Sequence, residues 1–513
     1  MIMFYAFIIL FINCFESIFM VLADINSQKH PRGLYFLFFT EMWERFSFYG
    51  ISGILVLYVT KQLHLPDGEA GLLSGAYMAF TFLAPILGGW VADKFIGYVV
   101  SVTIGAILIF AGNVILAIPS FDIQGVYAGL AVVAIGTGFL KSTVSVLLGQ
   151  LYDKKDVKRD AAYTIFYMGI NLGSILAGLI IAYVAENINW HYGFALAAMG
   201  MLLGLIIFLI GFKKHNYSDI SNIVRHENLK QKLAGIPCSI LLVLGTIAAI
   251  FIMYTLLSDP GKTKIVITFI SFGLLIYIAI LGIRAKTSIE RNQLFSILVF
   301  IVTAIFFWSL YKQSFNSLAL FIDRDTDKVF MGHAIPTSMF VLVPNSLFLV
   351  ALAGLFANFW IKMEQKGKQI SAPAKFLIGL IFTIGSFATF AFGAYLAYVS
   401  GNQSSMFWPL LGIFLLTCAE LCISPVGLSI VSKMSPTHLS GFLMGAWFLA
   451  SSIGSYVSGL LSSFVSIPEG TVDVKVTANA YFGLFSNCTI GMLVVAIIFA
   501  ILLPKIKRLT SDK

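Results

Sequence analysis

The sequence predicts an all-α polytopic membrane protein with fourteen transmembrane helices, and three observations carry that prediction. Of 513 residues, 59% are apolar and only 11% charged, whereas a soluble protein carries about 25% charged residues. Apolar runs long enough to cross a bilayer recur at roughly 34–60, 69–92, 98–118, 124–150, 160–184, 190–212, 236–257, 265–283, 292–322, 336–360, 376–400, 405–432, 439–465 and 480–503. With the N-terminus placed in the cytoplasm, most of the 33 Lys and Arg fall on the cytoplasmic side. Lys61, Lys262, Lys264, Arg324, Lys328 and Lys475 fall outside, and Arg45, Lys141 and Lys312 lie within spans. That asymmetry sets the orientation, with both termini cytoplasmic. The net charge of +9 is spread through short loops, so topology explains it and nucleic acid does not.

The first 22 residues are apolar, with Glu16 as the only charge. They lack the basic region and small-residue cleavage site of a signal peptide. One reading is an extra membrane segment; the preferred one is an upstream start, with Met20 as the true beginning. Lys29 and Arg32 would then stand just before the first core span, as a cytoplasmic N-terminus requires.

Inside the run 34–60, Glu41, Glu44 and Arg45 stand at i, i+3 and i+4 and share a helical face. An ionised side chain at the bilayer centre costs about 2.5–3.5 kcal/mol on insertion scales, so it faces a partner or a watery cavity. A lone Glu–Arg pair is often a structural lock between helices. Two acids with one base differ: Arg45 neutralises one acid fully and leaves the other able to take a proton, as a proton relay requires. Lys141 is too deep to snorkel easily and suits an anionic group or a buried acid. With Lys312 and Glu420, the intramembrane charges number three acids and three bases. Left uncompensated they would cost about 15–20 kcal/mol. A shared central cavity is the simplest geometry that lets them pair or meet water.

The stretch Glu41-Met42-Trp43-Glu44-Arg45-Phe46-Ser47-Phe48-Tyr49-Gly50 resembles the first-helix motif of the proton-dependent oligopeptide transporters, a branch of the major facilitator superfamily. The run Gly88-Gly89-Trp90-Val91-Ala92-Asp93-Lys94, with Gly97 beyond it, resembles the loop signature of that superfamily. Its glycines allow close helix approach, and Asp93 and Lys94 would gate a cytoplasmic mouth by making and breaking salt bridges; an ordinary turn is the alternative. Gly136-Thr137-Gly138-Phe139-Leu140-Lys141 is similar to a family run ending in lysine, although Ser142-Thr143 stands where Pro-Asn is usual. Phe166-Tyr167-Met168-Gly169-Ile170-Asn171-Leu172-Gly173-Ser174 resembles a further signature, whose Asn contacts the peptide; a buried Asn can also simply join helices. Trp308 and Gln313 match the seventh core helix, and Glu420 through Ser424-Pro425 and on to Trp447 matches the tenth and eleventh. The resemblance implies that Glu420 receives the peptide amino terminus and that Trp447 lines the pocket. Pro425 would interrupt the backbone ladder just beyond Glu420, making a gate element.

The resemblance implies a major facilitator fold of two six-helix bundles, 34–212 and 290–503, with two extra helices between them, the arrangement of bacterial members. Residues 1–33 form an N-terminal segment, 213–289 a basic linker plus the two extra helices, and 504–513 a cytoplasmic tail. It implies no enzyme and no cofactor, with the proton as coupling ion and di- and tripeptides as substrates, in a bacterial inner membrane and functional as a monomer. Glu41, Glu44 and Arg45 are the proton-coupling candidates. The substrate-binding candidates are Tyr49, Lys141, Asn171, Trp308, Lys312, Glu420, Ser424 and Trp447; the gating candidates are Asp93, Lys94 and Pro425. None of the cysteines has zinc spacing, no histidine sits mid-span, and no phosphate-binding loop is present. Transport of another small solute, an amino-acid derivative or organic anion, is the alternative, and a non-transporting receptor is a third reading.

Two departures from the family pattern bear on substrate. Ser52 stands where many members carry an Arg that helps bind the peptide carboxylate, and Lys312 stands where a Glu is common. Phe48 also lacks the hydroxyl of a family Tyr. Positive charge has thus moved from the first core helix to the seventh, and Lys312 would compensate for Ser52. On that reading Lys312→Gln is expected to weaken peptide affinity in uptake assays. Intact affinity with lost pH dependence would instead assign Lys312 to proton coupling.

Overall fold

The computed structural model describes residues 30–511 apart from 120–121, 154–155, 157, 216–231, 234–235, 369, 437, 466 and 468–472. The N-terminal start-site reading and most of the basic linker fall outside the described residues. Among the described residues, thirteen helical stretches are long and apolar enough to cross a membrane. The first described helix, α1 (Gly33–Lys61), joins them as the one rich in charge. The fourteen predicted helices are therefore present.

After α1 come α2 (Asp67–Val91), α3 (Tyr98–Leu116), α4 (Ile123–Gln150), α5 (Lys158–Leu176), α6 (Ala182–Asn187) and α7 (Trp190–His215). Next are α8 (Cys238–Leu257), α9 (Pro260–Ile283), α10 (Ser288–Tyr311), α11 (Ser317–Asp325) and α12 (Thr337–Gln365). The chain ends with α13 (Ala372–Ser400), α14 (Phe407–Met434), α15 (Ser440–Ser462) and α16 (Val474–Ser511). Single π-helical turns extend α2 over Ala92–Ile96 and join α5 to α6 over Ala177–Ile181. Two-residue strands are the only sheet structure among the described residues; Thr326–Asp327 pairs in parallel with Ser404–Ser405.

Contacts divide the chain into two compact units. The first comprises the described part of Met1–Tyr58 with Phe80–Asp259 and Ser338–Val350; the second comprises Val59–Ala79, Pro260–Thr337 and Ala351–Lys513. The boundary at Asp259 falls between α8 and α9, so the two accessory helices belong to different units. Both are mostly exposed, as lipid-facing helices with uninterrupted apolar surfaces should be.

In the first unit, α4 is the central packing element. A Cβ at Gly88 of α2 would stand 2.1 Å from the Gly138 carbonyl oxygen of α4, so the two backbones touch where only glycine fits. The same contact places Lys141 one turn beyond it. Asn113 of α3 donates to Ser47 of α1 at 2.9 Å, and Ser101 donates to the Phe139 carbonyl at 2.8 Å. After the π turn, Gly97 adopts φ 74°, a conformation that glycine takes without penalty, and α3 begins at once.

In the second unit, α13 packs along α14 and α16 around an aromatic cluster. Phe300, Phe376 and Phe499 lie 5.1–5.6 Å apart by ring centroid, and Phe387, Phe390, Phe485 and Tyr481 continue it. Such ring pairs contribute about 0.5–1.5 kcal/mol each beyond burial. The predicted single span 292–322 is broken: α10 stops at Tyr311, a 3₁₀ turn covers Lys312–Phe315, and α11 resumes after Asn316. Side chains hold the break. Gln313 Nε2 donates to the Ser458 carbonyl at 3.0 Å, and Asn316 Nδ2 to Ser458 Oγ at 2.8 Å. Beyond it, Arg324 forks Asp67, with one bond of 2.7 Å, and Asp323 meets Lys61 at 2.7 Å and Lys328 at 3.1 Å.

The Gly88 contact is testable. Gly88→Ala is expected to cost roughly 1–3 kcal/mol, because backbone cannot yield to the new methyl, and to lower the melting temperature of the purified protein. Gly245→Ala, on α8 with nothing within 4 Å, is the matched control and is expected to leave it unchanged or higher.

Candidate functional site

In the first unit the site begins on α1. Glu41, Glu44 and Arg45 are all buried. The Arg45 guanidinium donates through Nε and Nη2 to Glu44 as a fork, the geometry that suits a planar cation and a carboxylate best. Glu41 Oε1 stands 3.3 Å from the same Nε, while Glu41 Oε2 is buried with no hydrogen-bond partner. Spacing favours Glu41, at i, i+4 to Arg45, yet the guanidinium is turned to the adjacent acid: Glu44 is fully engaged and Glu41 is half engaged.

Aromatic rings carry the charge onward. The Arg45 guanidinium lies 4.7 Å from the Phe48 ring centroid, and Lys141 Nζ lies 5.7 Å from that same ring. Lys141 Nζ sits closest to Phe82, at 3.7 Å from its centroid. Cations within about 6 Å of a ring face are attracted by its quadrupole, more strongly when desolvated. Phe48 therefore lies within reach of both Arg45 and Lys141, and its loss of a hydroxyl leaves the π face intact. Tyr49 packs edge-on against Phe48 at 5.3 Å. Ser52 is buried and its Oγ has no hydrogen-bond partner.

Asn171 is buried on α5 and donates Nδ2 to the Tyr167 carbonyl at 3.0 Å. Two residues on, Gly173 lies so close to α1 that a Cβ there would stand 2.4 Å from the Met42 carbonyl oxygen and 3.0 Å from Arg45 Cβ. The α5 motif is thereby pressed against the charged turn of α1. Asp93 and Lys94 lie on the exposed π turn after α2. Lys94 Nζ sits 5.5 Å from the Trp90 ring centroid, and Asp93 is hydrogen-bonded by Tyr98.

The second unit holds its own set at the α10 break. Lys312 is buried, and its Nζ lies 5.8, 5.5 and 5.6 Å from the ring centroids of Trp308, Tyr311 and Phe315. Glu420, half-buried on α14, accepts a hydrogen bond from the Tyr311 hydroxyl at 3.0 Å. Ser424 is one turn away from Glu420, and α14 runs unbroken past Pro425, which is exposed. The indole of Trp447 is buried against Gly427, where a Cβ would approach it to 2.0 Å.

Sequence reading missed Phe82, Tyr311 and Phe315, the rings that seat the two lysines. Phe82 meets Lys141 from another helix, so no local spacing signals it. Tyr311 and Phe315 flank Lys312, but an aromatic beside a span residue is commonplace. A cavity of about 450 Å³ between α10, α15 and α16, lined by Phe306, Leu310, Leu461, Phe464 and Met492 among others, contains none of the predicted site residues.

Residues 99–481 match the family described as the POT family. The chain is 33% identical to the peptide transporter YePEPT of Yersinia enterocolitica subsp. palearctica serotype O:3 (strain YE-P4), over 94% of this chain and 96% of that one. It is 30% identical to dipeptide and tripeptide permease A of Klebsiella pneumoniae (strain 342), over 96% of this chain and 95% of the permease. Among solved structures it is similar to a peptide transporter crystallised with sulfate, at 30% identity and a TM-score of 0.80, covering 94% of this chain and 96% of that one. The motifs on α1, α4, α5, α10 and α14 thus sit in a full-length likeness of sequence and fold, and the chain belongs to the POT family of proton-dependent oligopeptide transporters, multi-pass membrane proteins with the major facilitator fold.

Proposed function

We propose that this chain is a secondary active transporter that couples proton entry to symport of di- and tripeptides by alternating access. The observation that carries the reading is the buried α1 triad, in which Arg45 is forked by Glu44 while Glu41 keeps one carboxylate oxygen without a partner. Glu41 carries the coupling proton. When protonated it no longer competes for Arg45, and the charge of the triad changes by one. Removing or adding one charge in a low-dielectric interior shifts every neighbouring ion pair, which is the step that couples protons to a change of access.

The substrate roles follow the chemistry of each group. Lys141 takes the peptide carboxylate, and Lys312 supplies the positive charge that Ser52 cannot. Glu420 receives the amino terminus. Asn171, whose Nδ2 is committed to Tyr167, offers its carbonyl oxygen to a peptide N–H. Tyr49, Trp308, Ser424 and Trp447 are the remaining substrate-binding candidates, and Asp93 and Lys94 serve opening and closing, whereas the unbroken helix at Pro425 gives that residue no hinge to act through. Recognition of termini and backbone rather than side chains gives broad selectivity. One proton moving down about 150 mV releases roughly 3.5 kcal/mol, enough for a few-hundredfold gradient of a neutral substrate.

The bundles in this reading are 34–212 and 290–503, with 213–289 between them and 504–513 as a tail. Both termini are cytoplasmic, the membrane is the bacterial inner membrane, and one chain suffices for transport.

Proteoliposomes with an inward proton gradient and a negative-inside potential are expected to accumulate labelled dialanine, and a protonophore is expected to abolish the accumulation. Folded protein that accumulates none would remove peptides as the substrate. Glu41→Gln is expected to keep counterflow exchange of dialanine while losing proton-driven accumulation by more than about tenfold. Loss of both activities together would assign Glu41 to binding instead.

A further inference from the structure

Tyr311 stands between Lys312 and Glu420 in the second unit. It is the last residue of α10, and the backbone tightens into a 3₁₀ turn at Lys312. The ring packs edge-on to Trp308 at 5.3 Å and lies 5.5 Å from Lys312 Nζ, while the hydroxyl donates to Glu420 Oε2 at 3.0 Å. One phenol thus engages the ammonium through its face and the carboxylate through its edge. Packing alone would be served by phenylalanine, since the hydroxyl adds only a donor that must find a partner in an apolar setting.

A glutamate side chain has three torsions, and a carboxylate that must find its orientation as a ligand arrives loses affinity to that ordering. We propose that Tyr311 is a positioning residue for recognition of the ligand amino end: its hydroxyl orients the Glu420 carboxylate, making this half of the site selective for a free ammonium. The proposal rests on Glu420 as receiver of the amino terminus.

The test compares two unlabelled competitors, Ala-Ala and N-acetyl-Ala-Ala, against uptake of labelled dialanine by the full chain in proteoliposomes. The readout is the ratio of their half-inhibitory concentrations. Tyr311→Phe keeps the ring and removes the donor. It is expected to shrink the wild-type ratio by about tenfold, the scale of one hydrogen bond to a charged group, through weaker Ala-Ala competition alone. An unchanged ratio, or equal weakening of both competitors, overturns the proposal. Glu420→Gln separates this from the reading beneath it. A reduced ratio in Glu420→Gln with none in Tyr311→Phe sinks only the role of Tyr311. An unchanged ratio in Glu420→Gln sinks the amino-end assignment itself. Tyr311→Leu, read by the same ratio, serves if the Phe variant does not assemble.

Discussion

The structure depends on one constraint: ionised side chains placed within membrane-spanning helices must be compensated by the protein. Bulk water at their depth would meet this need without specific partners, but hydrocarbon does not. The two units solve the problem differently. In the first, Arg45 pairs with both acids within a single helical turn, and the faces of Phe48 and Phe82 lie against Lys141. In the second, Lys312 is surrounded by three rings and Glu420 is held by a phenol.

The same constraint explains where the helices are irregular. A transmembrane helix can release backbone groups only if neighbouring side chains satisfy them. The α10 break meets this condition through Gln313, Asn316 and Ser458. On α1 and α4 the backbone stays regular, and close glycine contacts set the geometry instead. The Gly88–Gly138 approach brings α2 against α4 one turn from Lys141, and α2 then supplies Phe82 to the lysine.

Phe48 shows how a departure from a family motif can preserve a role. Its missing hydroxyl removes a hydrogen-bond donor from the charged turn, but the ring face still lies within reach of both Arg45 and Lys141. Cation–π attraction needs the quadrupole and not the hydroxyl. Ser52 is a different case. Its buried Oγ has no partner, and nothing at that position replaces the long cation that many family members carry.

The sequence by itself determined the spans, their number and the charged face of α1, because hydropathy and the i, i+3, i+4 spacing are local properties that survive any packing. It also determined the family, through motifs contained within single helices. Only the tertiary structure decided which acid of the triad is left half engaged, since the i, i+4 spacing favours Glu41 for Arg45 whereas the guanidinium fork is turned to the adjacent Glu44. It decided the break in the run 292–322, where hydropathy continues across Lys312 and long-range hydrogen bonds from Gln313 and Asn316 to Ser458 help to hold the turn. It decided the seat of Lys141 and the partner of Glu420 as well. Phe82 reaches its lysine, and Tyr311 its glutamate, from residues far along the chain, and partners of that kind are chosen by packing, which no local pattern encodes.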